Sequence, residues 1–207
     1  MTYTLYGDKG SGSCIVEAAL AEIGTNYATE DINLGADEQR GSAYARINPQ
    51  RKLPALVTPA GEVLTESMAI LLTLMERHPH HALLPDAASA RAQALRWLAY
   101  VAGELYPIIE INDYPERFTT DSSCVSGARK RAKEIWRERW LMVESNSSGD
   151  PYLLPSGFCV TDIYIAVVSR WAQQADWRPR HIPRIESLTA ATAARPAIAP
   201  VWARHFG

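Results

Sequence analysis

The sequence predicts an α/β domain followed by an all-α domain, and three observations carry that prediction. Short strand-like apolar runs are confined to the first 78 residues. The segment HPHHALLPDAAS, residues 78 to 89, is rich in proline and in small or polar side chains and interrupts the chain. Beyond it, apolar residues recur only at helical spacing. The expected layout is a first domain over 1–78, a linker over 79–88 and a helical domain over 89–207.

The elements follow in order. Thr2 to Tyr6 reads as a short strand ending at Gly7, and the turn DKGSGS comes after it. Val16, Ala19, Leu20 and Ile23 fall at i, i+3, i+4 and i+7, which predicts a helix that stops at Gly24. Tyr27 to Asn33 alternates and reads as a second strand, closing a βαβ unit whose strands should run parallel with a right-handed crossover. Ala55 to Thr58 and Glu62 to Leu64 read as two short strands joined through Pro59-Ala60-Gly61. Met68, Leu71, Leu72 and Met75 mark a helix running to about Arg77.

Past the linker, Leu95, Leu98, Ala102 and Leu105 predict one long helix. Ala132, Ile135, Trp136, Trp140 and Val143 predict another, and Ile163, Ala166, Val167 and Arg170-Trp171 a third.

The 207 residues suffice to bury a core without metal or disulfide staples, and 47% hydrophobic with 21% charged residues is ordinary globular composition. A net charge of -2 with no long basic run argues against a nucleic-acid partner or an anionic membrane surface. Cys14, Cys124 and Cys159 are widely spaced and odd in number, which fits reduced thiols in the cytoplasm better than a disulfide framework. The sequence shows no secretory leader pattern and no run of about 18 apolar residues, in keeping with a cytoplasmic protein. His78, His80 and His81 sit in the proline-broken linker without a matching Cys or carboxylate cluster, so no metal is expected.

Three features of the first domain can carry chemistry. Gly10-Ser11-Gly12-Ser13-Cys14 lies where the first helix begins, and a helix N-terminus offers unpaired N–H groups and partial positive charge to an anion such as a thiolate. Ser11 could donate a hydrogen bond to that anion, or Ser11 or Ser13 could simply cap the helix. In Asn48-Pro49-Gln50-Arg51-Lys52-Leu53-Pro54-Ala55-Leu56, a proline opens a strand. If the Leu53–Pro54 bond is cis, the Leu53 backbone is presented to an extended peptide ligand; a trans bond would make it an ordinary edge-strand proline. In Leu64-Thr65-Glu66-Ser67, Ser67 could bind a carboxylate at a helix start and Glu66 an ammonium group, or the two could form a capping pair. The glycine run lacks the third glycine of a dinucleotide fingerprint and a second set of alternating strands and helices.

LYG followed by SGSC, then NPQRKLPAL, then LTES, in that order, resemble the N-terminal domain of the glutathione S-transferases, and YLLPSGFCVTDIYIA extends the likeness loosely into the second half. The resemblance implies a thioredoxin-like first domain followed by an all-helical domain. It implies a glutathione transferase that conjugates the glutathione thiolate to a small apolar electrophile in detoxification chemistry. It also implies a homodimer, with glutathione as co-substrate and no metal.

By the same resemblance Ser11 matches the thiol-activating serine of the serine-type members, and Leu53 the residue before the cis-proline, Pro54. Glu66 and Ser67 match the pair that holds the γ-glutamyl end, and Lys52 or Arg51 lies near the glycine carboxylate. The electrophile site is expected between the domains, with Tyr106 among its candidates.

The energetics are adequate for a serine. A free thiol has a pKa of about 8.5; one hydrogen bond to the thiolate, about 1.5–3 kcal/mol, plus a helix N-terminus, about 0.3–1, lowers it by roughly 1.3 to 3 units. Cys14, one turn in, either points inward as a small hydrophobe or faces the ligand, which would make the protein a glutathione-dependent thiol-disulfide reductase or isomerase. A non-catalytic glutathione-binding scaffold is the third reading. The helix after Cys159-Val160-Thr161-Asp162 carries cysteine where members have Ser or Thr, so its start is expected to be weak or rebuilt around Thr161.

Overall fold

The structure, a computed structural model, describes residues 2–81, 83–172 and 175–207; Ala82, within the expected linker, lies outside them. The chain divides into two compact units, one of residues 1–84 with 193–207 and one of residues 85–192.

The first unit is built on a four-stranded sheet. β1 (Tyr3–Gly7) turns Tyr3, Leu5 and Gly7 inward, with the period of two that a half-buried strand requires. α1 (Ser13–Ile23) is buried along nearly its whole length and stops at Gly24, whose φ of 72° lets its N–H reach the Leu20 and Ala21 carbonyls. β2 (Tyr27–Asp31) pairs with β1 in parallel. The short α2 (Ser42–Ala45) precedes β3 (Ala55–Val57), which is antiparallel to β1, and β4 (Val63–Thr65) is antiparallel to β3. α3 (Ser67–Arg77) completes the pattern, and the sheet order is β2-β1-β3-β4.

The second unit is helical. α4 (Ala88–Tyr100) leads through a π-helical turn, Val101–Leu105, into α5 (Tyr106–Asp113). The single long helix expected here is therefore interrupted, and Pro107 supplies a reason. It has no N–H for the Gly103 carbonyl and its ring would crowd that carbonyl, so the backbone widens by one residue. Arg139 covers the opened turn, donating to the Glu104 carbonyl and pairing with the Glu104 carboxylate at 2.7 Å.

α6 (Val125–Asn146) buries Trp136, Trp140 and Val143. α7 (Val160–Val168) is fully buried and ends before the expected Arg170-Trp171. The short α8 (Arg178–His181) and α9 (Pro183–Ala193) follow.

The last helix, α10 (Ala199–Phe206), belongs to the first unit and packs on α1. The sequence reading groups 89–207 together. The departure at residues 193–207 has a physical cause in arginine ion pairs and a buried histidine hydrogen bond. Arg204 and His205 hold the buried Glu17 of α1, and Arg195 holds Glu22 at 2.7 and 2.9 Å.

The start of α7 also differs from expectation. Cys159 does cap it: its sulfur receives the Asp162 backbone N–H while the Asp162 carboxylate takes the Cys159 N–H at 2.8 Å. Thr161 instead donates to the Ala94 carbonyl at 2.9 Å.

Candidate functional site

Strand register gathers the three motifs. Tyr6 pairs with Ala55, and Ala55 with Thr65, so the turn after β1, the approach to β3 and the turn after β4 share one end of the sheet. Two strand spacings of about 4.8 Å separate the outer pair, roughly 10 Å. An extended tripeptide at about 3.4 Å per residue covers a similar span.

At the turn after β1, hydrogen bonding fixes which serine can act outward. Ser13 is buried and donates its hydroxyl proton to the Asp8 carbonyl at 3.1 Å. Ser11, half-buried, receives the Asp8 N–H at 3.3 Å and the Ser13 N–H at 3.2 Å. Its lone pairs are thus engaged, and the capacity left to it is donation. The Ser13 hydroxyl, 2.9 Å away, is an internal acceptor for that proton. Among the described residues the Gly12 amide has no hydrogen-bond partner, and Gly12, at the N-cap, has no side chain to cap α1, so Ser11 alone holds the Ser13 N–H. An anion at this turn would take the Ser11 proton in place of the Ser13 acceptor and lie beside the Gly12 amide of a buried residue. The Asp8 carboxylate braces the loop by accepting from Leu34 N at 2.9 Å.

Before β3, the Leu53–Pro54 peptide bond is cis. Pro54 is buried and Leu53 half-buried, and among the described residues neither the Leu53 amide nor its carbonyl has a partner in the protein. The adjoining Lys52 carbonyl is clamped by the Tyr44 hydroxyl and the Asn48 side-chain amide, both at 2.7 Å. Burial pushes the Tyr44 phenol up to about 12, so it stays a donor. Arg51 and Lys52 are exposed, and Arg51 adopts a φ of 57°.

At the start of α3, Glu66 is exposed and held at φ 63°, ψ 106°, where an L residue is strained. Ser67 beside it is buried. A strained residue kept at such a place, by a cost of order 1–3 kcal/mol, points to a role for its side chain outside the fold.

Cys14 lies in the core of the first unit with no exposed surface, and burial, reinforced by the Glu17 charge, pushes its thiol far above the usual range. That argues against the reading in which Cys14 attacks a ligand disulfide, since a thiol with no exposed surface is out of a ligand's reach and the thiolate is the reactive form. Tyr106 begins α5 in the second unit, with its ring 4.7 Å from that of Trp171 and 6.3 Å from that of Tyr164. Among the described residues no group of three or more His, Cys, Asp or Glu converges as a metal site would require.

Several residues escape the sequence reading. The Gly12 amide and the Asn48 and Tyr44 clamp could have been suspected, since all flank motifs already singled out. Glu17 carried one signal, a lone acid in the apolar run CIVEAALA. Nothing local points to its partners, Arg204 and His205.

A family model described as "Glutathione S-transferase, N-terminal domain" matches residues 1–74. The chain is 26% identical over 204 residues to the uncharacterised GST-like protein YncG of Escherichia coli, covering 97% of each. It is 28% identical over 208 residues to a maleylacetoacetate isomerase of Pseudomonas aeruginosa, covering 94% of this chain and 92% of that one. The crystal structure of a glutathione transferase homologue from Sulfitobacter with bound glutathione superposes with a TM-score of 0.90 at 26% identity, covering 97% of this chain and 96% of that one.

Proposed function

The chain belongs to the glutathione S-transferase family, and from that premise we propose that it is a glutathione transferase in which Ser11 stabilises the co-substrate's thiolate. The observation that carries this is a Ser11 hydroxyl able only to donate, its proton now on Ser13, beside a Gly12 amide and a Leu53 backbone that have no partner among the described residues.

The residues present fit the tripeptide. Glu66 accepts from its ammonium group, and Ser67 at the head of α3 donates to the neighbouring carboxylate. The Leu53 N–H and C=O pair with the middle peptide. Lys52 or Arg51 faces the glycine carboxylate. Bound in this way, glutathione supplies a nucleophilic sulfur. Ser11 and Gly12 hold its negative charge, and the hydroxyl keeps its own proton, since it acts as a donor and not as a base. A small apolar electrophile is attacked at carbon, and Tyr106 of the second unit is the candidate side chain for lining its site. The protein acts as a homodimer in the cytoplasm.

The test is calorimetry with glutathione together with a conjugation assay on an aromatic halide. Wild type should bind and turn over, and Ser11→Ala should bind with a rate lower by about 10- to 100-fold, the value of one hydrogen bond to a charged group. Unchanged turnover in Ser11→Ala would defeat the assignment.

A second reading is favoured by the full-length likeness to a maleylacetoacetate isomerase. Reversible addition of the same thiolate to a conjugated double bond, with rotation about the bond, isomerises the substrate and returns glutathione unchanged. Isomerisation of a cis-configured conjugated diacid without net consumption of glutathione would select this reading over conjugation.

A further inference from the structure

The C-terminal helix reaches the loop that holds Ser11. The Gly10 N–H donates to His205 Nδ1 at 3.1 Å, and His205 Nε2 lies 2.8 Å from a Glu17 carboxylate oxygen. A backbone amide can only donate, so Nδ1 must be bare, and the ring proton therefore sits on Nε2 and is given to Glu17. The His205 side chain is 2% exposed and that of Glu17 6%. Such a pair, fixed in one tautomer, has little freedom to turn.

Glu17 is anchored in turn by both of its oxygens, which accept from Arg204 at 3.0 and 2.9 Å. Arg204 also reaches Asp31 of β2. Burial alone would raise the Glu17 carboxyl, but the His205 hydrogen bond and the Arg204 charge outweigh it and hold it below the ordinary 4.5.

Gly10 is the residue that needs holding. Its φ is 69°, and a Cβ there would come within 4.0 Å of the Phe206 ring and 3.8 Å of the His205 carbonyl. The space would accept a methyl group, so the positive φ and the hydrogen bond to His205, rather than tight packing, set the loop one residue before Ser11.

We infer that His205 is a positioning residue for thiolate stabilisation: clamped by Glu17, its Nδ1 fixes Gly10 and thereby the direction of the Ser11 hydroxyl and the Gly12 amide. The inference rests on the reading of Ser11 given above. His205 touches neither glutathione nor the electrophile, and it acts through the loop.

Two substitutions separate this role from simple support of a buried acid. In His205→Asn the side-chain oxygen stands the same number of bonds from Cα as Nδ1, so the Gly10 acceptor survives and the Glu17 contact is lost. In His205→Gln the amide nitrogen replaces Nε2, so the Glu17 contact survives and the Gly10 acceptor is lost.

The experiment uses the full-length protein and two readouts. Hydrogen exchange of the Gly10 amide, without glutathione, should be faster by about tenfold or more in His205→Gln and near wild type in His205→Asn, with α6 and α7 amides as the control for an intact fold. Conjugation with glutathione and an aromatic halide should show kcat lower by roughly fivefold in His205→Gln, KM for glutathione little changed, and rescue in His205→Asn to within about twofold. The reverse order of the two variants would overturn the inference, as would equal behaviour, whether both normal or both impaired. If wild type fails to bind glutathione at all, the functional reading falls by itself, and the exchange order alone then decides whether His205 sets the loop.

Discussion

Two helix starts in this molecule solve the same electrostatic problem in opposite ways. α7 opens with its N-cap amide engaged: Asp162 takes the N–H groups of Cys159 and of the nearby Leu153 at 2.8 and 2.9 Å, and the whole turn is buried. α1 opens with its N-cap amide, that of Gly12, unpartnered among the described residues, although the Ser11 side chain takes the Ser13 N–H. α3 begins at a strained Glu66 that makes no capping hydrogen bond. An N-cap amide left unpaired costs stability, and this contrast supports the proposal that the α1 start serves a ligand. The α7 start is a folding device; the α1 start is part of the proposed binding site.

The comparison can be broken most forcefully at the closed end. Asp162→Ala orphans two buried backbone donors and should lower unfolding free energy by about 3 kcal/mol, measured by urea titration. Affinity for glutathione, measured on the folded fraction, should stay within about twofold. A loss of affinity with intact stability would mean the two helix starts are not separate in function.

The open end should respond in the opposite sense. Ser11→Ala, which loses an acceptor for the Asp8 and Ser13 amides, should lower unfolding free energy by only about 1 kcal/mol while slowing conjugation by about 10- to 100-fold. Glu66→Gly should relieve the positive φ and stabilise the fold by about 1 kcal/mol, yet weaken glutathione binding measured by calorimetry. If Glu66→Gly destabilises the protein, the strain is not being held for a ligand.

The smallest effect expected is on acid stability. The Glu17 carboxyl is held below its ordinary 4.5, so it contributes stability that is complete above that pH and lost as pH falls through the lowered value. Glu17→Gln should therefore flatten the part of the unfolding profile below about pH 4.5, read by thermal melts across pH.

The local grammar of the first unit was legible in the sequence. Alternation marked β1, the i, i+3, i+4, i+7 spacing marked α1, and Gly24 marked its end; each is set by neighbours within one or two turns. What brings Ser11, Leu53 and Glu66 to one sheet end is the register of β1, β3 and β4, which no single segment encodes. The interruption of the α4–α5 region could have been read from Pro107, whose missing N–H acts four residues back. The return of α10 to α1 could not, because Glu17, though a lone acid in an apolar run, lies 187 and 188 residues from Arg204 and His205, which look like surface charges in isolation. Average propensity ranks a cysteine cap low, but here the Asp162 carboxylate secures the helix start by taking the Cys159 and Leu153 N–H groups.

The most direct measurement of the central claim is the ionisation of bound glutathione, followed by thiolate absorbance across pH in wild type, Ser11→Ala and Cys14→Ala. The account predicts a bound thiol pKa at or below about 7 in wild type and Cys14→Ala, and a return toward the free value of about 8.5 in Ser11→Ala. An unshifted pKa in wild type, or a shift that survives Ser11→Ala and vanishes in Cys14→Ala, would contradict it.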